Sequence, residues 1–162
     1  MKITLVVDGT ERTLTVEPGA TLLEALRAAG YKGVKDGCAA GDCGACAVLV
    51  DGRAVAACFV YAARADGCEV TTVAGLAEEH GLHPLQQAFL DAGAVQCGFC
   101  IPGMLAVAGE LLARDPDPSR GEVAAALAGN LCRCTGYVKQ LEAVEAAARM
   151  LAKRATAEAG RG

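Results

Sequence analysis

The sequence has no Trp, and only three Phe and three Tyr among its 162 residues. A core without large rings has to be assembled from Ala, Val and Leu, which suits small units with closely packed helices and strands. Basic charge is also scarce. Fifteen Lys and Arg stand against nineteen Asp and Glu, for a net charge of −4 and a pI near 5.2. Nucleic acid and anionic membrane surfaces both require a basic face, so neither is expected as a partner. No apolar run reaches the roughly 18 residues of a membrane span, and Met1-Lys2 leads into an alternating segment rather than a signal-peptide core. The chain is therefore expected to be cytoplasmic. A Ser/His/Asp set, a phosphate loop and a dinucleotide-binding glycine pattern are missing too, so no substrate site of its own is expected.

Hydrophobic residues make up 53% of the chain, enough for a packed core. Residues 3–7 and 12–16 alternate around Asp8-Gly9, which predicts a β-hairpin. Thr21 with Glu24 forms a capping box that opens a short helix through Leu22, Leu23, Leu26 and Ala29, and Gly30 closes it. After a Gly- and Cys-rich loop from Gly37 to Cys46, residues 47–50 and 53–57 flank Asp51-Gly52 as a second hairpin, and residues 69–73 form another strand. Beyond Gly75 the pattern turns helical: residues 84–90, 102–114, 120–128 behind a Ser119/Glu122 capping box, and 141–153. The expected fold class is α+β. A strand-rich domain covers residues 1–76, an all-α domain covers 77–154, and the polar tail 155–162 is expected to be disordered.

Nine Cys in a chain with no export signal point to metal or redox chemistry rather than disulfides. Eight of them form two groups of four. Cys38-x4-Cys43-x2-Cys46, followed after eleven residues by Cys58, has the plant-type spacing of a [2Fe–2S] cluster. Four thiolates complete two tetrahedral irons, and Gly37, Gly41 and Gly44 let the backbone approach with N–H groups turned towards sulfur. Cys58 would arrive from the end of the second hairpin. The second group pairs Cys97-x2-Cys100 with Cys132-x-Cys134, each ahead of a predicted helix whose free N–H groups favour an anionic cluster. Structural zinc is the main rival, above all for this second group, because C-x2-C is also the zinc half-site. A [4Fe–4S] cluster is disfavoured, since the bacterial C-x2-C-x2-C run is absent. Cys68 belongs to neither group and reads as an incidental thiol. His80 and His83 fall in the linker without a Cys or carboxylate at ligand spacing, so His83 is expected to pack or to cap a helix.

Three segments, Gly37 to Cys46, Gln96 to Met104 and Gly129 to Tyr137, together resemble the small iron–sulfur subunit of the xanthine oxidase family of molybdenum hydroxylases. The resemblance runs from about Lys2 to Met150. It implies a β-grasp, plant-type ferredoxin-like domain followed by a four-helix domain, with two [2Fe–2S] clusters in all. It implies a molybdopterin-binding large subunit and an FAD-binding medium subunit as partners, in a heterotrimer able to dimerise. Electrons would pass from molybdopterin through the helical-domain cluster to the ferredoxin-type cluster, and then to FAD or another acceptor. Gln96 and Cys134 would lie against the pterin. The sequence departs from the family pattern at Ile101, often Thr, at Gln140, usually aliphatic, and at Ala39-Ala40, more often Gly and an acidic residue. None of these removes a ligand. The alternatives are a free-standing two-cluster ferredoxin and a zinc-binding interaction module.

Overall fold

The computed structural model describes residues 1–78 and 81–160. His80, Arg161 and Gly162 therefore lie outside the described residues. Strand β1 (Lys2–Val7) pairs antiparallel with β2 (Thr10–Thr15), and β3 (Ala47–Val50) pairs the same way with β4 (Arg53–Ala56). Both hairpins turn on Asp-Gly, with positive φ at Asp8, Gly9, Asp51 and Gly52, the type I′ geometry that matches the right-handed twist of the strands. Strand β5 (Glu69–Thr71) lies between them, parallel to β1 and antiparallel to β3, giving the order β2-β1-β5-β3-β4.

Alternation along β1 puts Ile3, Leu5 and Val7 on the inner face with Val48 and Val70. Helix α1 (Leu22–Ala28) covers that face with Leu22, Leu23 and Leu26. Its N-terminus is closed by the Thr21/Glu24 capping box. This is the expected β-grasp arrangement. Where β4 ends, residues 57–59 and 62–65 form two 3-10 turns that the sequence pattern did not announce. The first carries Cys58.

The second half holds α2 (Pro84–Asp91), α3 (Ile101–Arg114), α4 (Arg120–Leu127) and α5 (Val138–Ala159). They enclose a second core of Leu85, Phe89, Met104, Leu111, Val123, Leu127, Val144 and Ala147. Its small residues allow the close packing expected of a chain poor in aromatics. His83 caps α2: its Nδ1 accepts from the Leu85 N–H at 3.2 Å, and burial lowers its pKa, which suits a neutral ring that can accept. Helix α5 begins before the expected Leu141 and runs on to Ala159, into the segment expected to be disordered. Ala155, Ala157 and Ala159 are strong helix formers, and no glycine or proline interrupts the run before Gly160. Among the described residues no helix is long and apolar enough to cross a membrane.

Candidate metal centres

The first four thiols stand on the loop between α1 and β3 and on the turn after β4. They meet in pairs, Cys38 with Cys43 and Cys46 with Cys58. Three backbone N–H groups point at sulfur: Ala40 and Cys43 donate to Cys38 Sγ at 3.4 Å each, and Gly41 donates to Cys58 Sγ at 3.3 Å. The Ala40 N–H first, then the N–H and thiol of Cys43 and the Asp42 N–H, hold the Cys38 pKa down to about 7. Burial pushes Cys43 up and takes Cys46 to about 11. Buried thiols of this kind lose their protons when metal binds and supplies the compensating charge.

The second four come from the α2–α3 loop and the α4–α5 loop. Cys97 and Cys134 have their sulfurs 3.5 Å apart, and Cys100, the N-cap of α3, meets Cys132. The Phe99 N–H lowers the pKa of Cys97, whereas the hydrogen bond with Cys97 raises that of Cys134. Burial pushes Cys100 to about 12. At Cys132 burial acts upward too, but the Thr135 hydroxyl and the Thr135 and Cys134 N–H groups outweigh it and bring the thiol to about 7.

All eight expected ligand residues are thus gathered by fours. Among the described residues no three of His, Cys, Asp or Glu converge closely enough to enclose a single ion. Four thiols at each site are the donor number that a [2Fe–2S] cluster takes, two for each iron. Cys68 stays apart. Its thiol donates to the Arg64 carbonyl at 3.6 Å, and its charged neighbours are Asp51, Arg64 and Asp66.

The two sites are joined across the domain interface. Leu131, which precedes Cys132, donates its N–H to the Cys43 carbonyl at 2.9 Å. Asn130, buried beside it, donates Nδ2 to the Gly44 carbonyl at 3.0 Å. Gly44 has a φ of +67°, and a Cβ there would collide with the Gly129 carbonyl. At Gly103 in α3 a Cβ would run into the Gly44 carbonyl, so both glycines are needed for the loop to seat on the helical domain. The Phe99 ring lies against Gly37. Glu110 of α3 clamps the second hairpin by accepting from Arg53 Nε and the Ala54 N–H, both at 3.0 Å. Asn130, Leu131, Gly103 and Phe99 sit within the recognised segments, but their bridging role depends on contacts remote in sequence, which spacing alone does not signal. Each site has exposed residues: Cys38 at the first, and Gln96, Cys97 and Cys134 at the second.

Two domain families match in this order: a 2Fe-2S iron-sulfur cluster binding domain over residues 5–77 and a [2Fe-2S] binding domain over residues 72–145. The chain is accordingly a protein of two tandem [2Fe–2S]-binding domains. It is 45% identical to the nicotinate dehydrogenase small FeS subunit of Eubacterium barkeri, over 94% of this chain and 95% of that one. It is 47% identical to the xanthine dehydrogenase iron-sulfur-binding subunit of Escherichia coli O157:H7, over 81% and 84%. Its fold matches the crystal structure of quinoline 2-oxidoreductase from Pseudomonas putida 86 with a TM-score of 0.90 and 43% identity, covering 94% of this chain and 96% of that one. The chain belongs to the family of small iron–sulfur subunits of the xanthine oxidase type of molybdenum hydroxylase.

Proposed function

We propose that this chain passes electrons from a molybdopterin-containing catalytic subunit to FAD on a medium subunit, or to another acceptor. In this reading Cys38, Cys43, Cys46 and Cys58 hold one [2Fe–2S] cluster, and Cys97, Cys100, Cys132 and Cys134 hold the other. Each cluster, when bound, supplies a one-electron carrier. The observation that carries the reading is the hydrogen bond from the Leu131 N–H to the Cys43 carbonyl. It links a ligand of one site to the neighbour of a ligand of the other, so a short bonded path joins the two cradles.

The exposed edge at Gln96, Cys97 and Cys134 suits contact with the pterin of a large subunit, and the edge at Cys38 suits the acceptor side. Phe59, 81% exposed beside Cys58, adds an apolar contact there. A free-standing ferredoxin would need only the first site, and it would leave the second edge without a partner. The complex is a cytoplasmic heterotrimer in this reading, and its substrate is selected on another chain.

Rapid mixing of the assembled complex with its reducing substrate tests the order. In Cys134→Ser, with loss of the helical-domain signal verified, the ferredoxin-type cluster should stay oxidised. In Cys43→Ser the helical-domain cluster should still be reduced while delivery to the acceptor slows. Normal reduction of the ferredoxin-type cluster in the Cys134 variant would overturn the order.

A further inference from the structure

Gln140 lies fully buried in α5, and its Oε1 is, among the described residues, the only buried side-chain polar atom without a hydrogen-bond partner. A buried orphan acceptor is costly, so something must hold the amide in this orientation. Its Nε2 shows what does. That nitrogen donates to the Ala94 carbonyl at 3.1 Å and to the Thr135 hydroxyl, and it lies 3.9 Å from Cys132 Sγ, at the outer limit for a bond to sulfur. Turning the amide over would set Oε1 against the Ala94 carbonyl, which can only accept.

The Thr135 oxygen is 3.0 Å from Cys132 Sγ. A thiolate at that position only accepts, and Gln140 offers Thr135 only a donor. The single proton of the Thr135 hydroxyl is therefore left to point at sulfur. We propose that Gln140 is a positioning residue for the helical-domain cluster: it fixes the Thr135 hydroxyl as a donor to Cys132 and thereby raises that cluster's reduction potential. Reduction adds negative charge, and a donor on a ligand sulfur stabilises the more negative state. Through Ala94 the same amide also ties the loop bearing Cys97 and Cys100 to the loop bearing Cys132 and Cys134. The proposal rests on the reading of Cys132 as a cluster ligand.

The test is an EPR-monitored redox titration of the assembled complex, with the ferredoxin-type cluster as internal reference. Gln140→Met keeps a similar volume without a donor, Thr135→Val removes the hydroxyl, and Thr135→Ser restores it. The helical-domain midpoint should move negative in Gln140→Met and in Thr135→Val, and stay at the wild-type value in Thr135→Ser. The double variant Gln140→Met/Thr135→Val should move no further than the larger single shift, because both changes cut one relay. An unmoved midpoint in Gln140→Met, or shifts that add in the double variant, would overturn the proposal. Should Gln140→Met not assemble, equal midpoints for Thr135→Val and Thr135→Ser would overturn it as well. Survival of an unaltered helical-domain signal in Cys132→Ala would remove instead the ligand reading beneath it.

Discussion

At Gly44 the two domains approach so closely that a single methyl would meet backbone on the other side. Gly44→Ala would drive Cβ into the Gly129 carbonyl and to 2.5 Å from Asn130 Nδ2, at a φ that L side chains rarely adopt. Strain of that kind costs roughly 1–3 kcal/mol, and it acts on the contacts that hold Leu131 to Cys43. The variant should unfold at lower denaturant and slow the transfer between clusters; wild-type values for both would show the contact to be slack. Cys68 sits at the opposite extreme, away from both groups of four, its thiol held by the Arg64 carbonyl and Asp51. Cys68→Ser should leave iron content and both reduced-cluster signals intact, and loss of either signal would make it a ligand. That these eight cysteines would stand together in two groups was legible from their spacing, C-x4-C-x2-C with Cys58 and C-x2-C with C-x-C. The bridging role of Asn130 was not, because its partner Gly44 is 86 residues away and any buried amide would look the same in sequence.

At the level of elements, the local signals that were present decided most boundaries. Asp-Gly turns, capping boxes and prolines at helix starts placed both hairpins and the starts of α1, α2 and α4 within a residue or two of where they stand. The 3-10 turns after β4 gave no such signal, since they carry no side-chain cap and bury Ala57, Ala62 and Ala65 in a core assembled from residues remote in sequence. Helix α5 runs past its expected end to Ala159, through a stretch in which Ala155, Ala157 and Ala159 favour helix and no glycine or proline stops it before Gly160. The capping box of α4 gives a test. Ser119 Oγ accepts from the Glu122 N–H at 3.3 Å, and Ser119→Ala should cost about 1 kcal/mol in denaturant unfolding at neutral pH. Hydrogen bonds from the Ser119 side chain and backbone lower the Glu122 pKa. A lowered carboxylate contributes stability that is present above its unfolded value and lost as pH falls through its folded one. The gap between wild type and Ser119→Ala should therefore narrow on acidification, and a gap that stayed constant would count against the box.

For the whole molecule, the two-domain plan was legible from the switch between period-2 and helical patterning near Gly75, whereas the way the domains dock was not. Docking is carried by the close approach of Gly44 and Gly103, by Phe99 over Gly37 and by Glu110 on the second hairpin. These contacts set the loop bearing Cys43 against the loop bearing Cys132. The central claim is that the chain carries two [2Fe–2S] clusters in series, and metal analysis with EPR of the purified chain tests it most directly. The protein should hold about four iron and four acid-labile sulfide and, after dithionite, show two distinct reduced-cluster signals. Stoichiometric zinc without sulfide, or one signal accounting for all the iron, would contradict it.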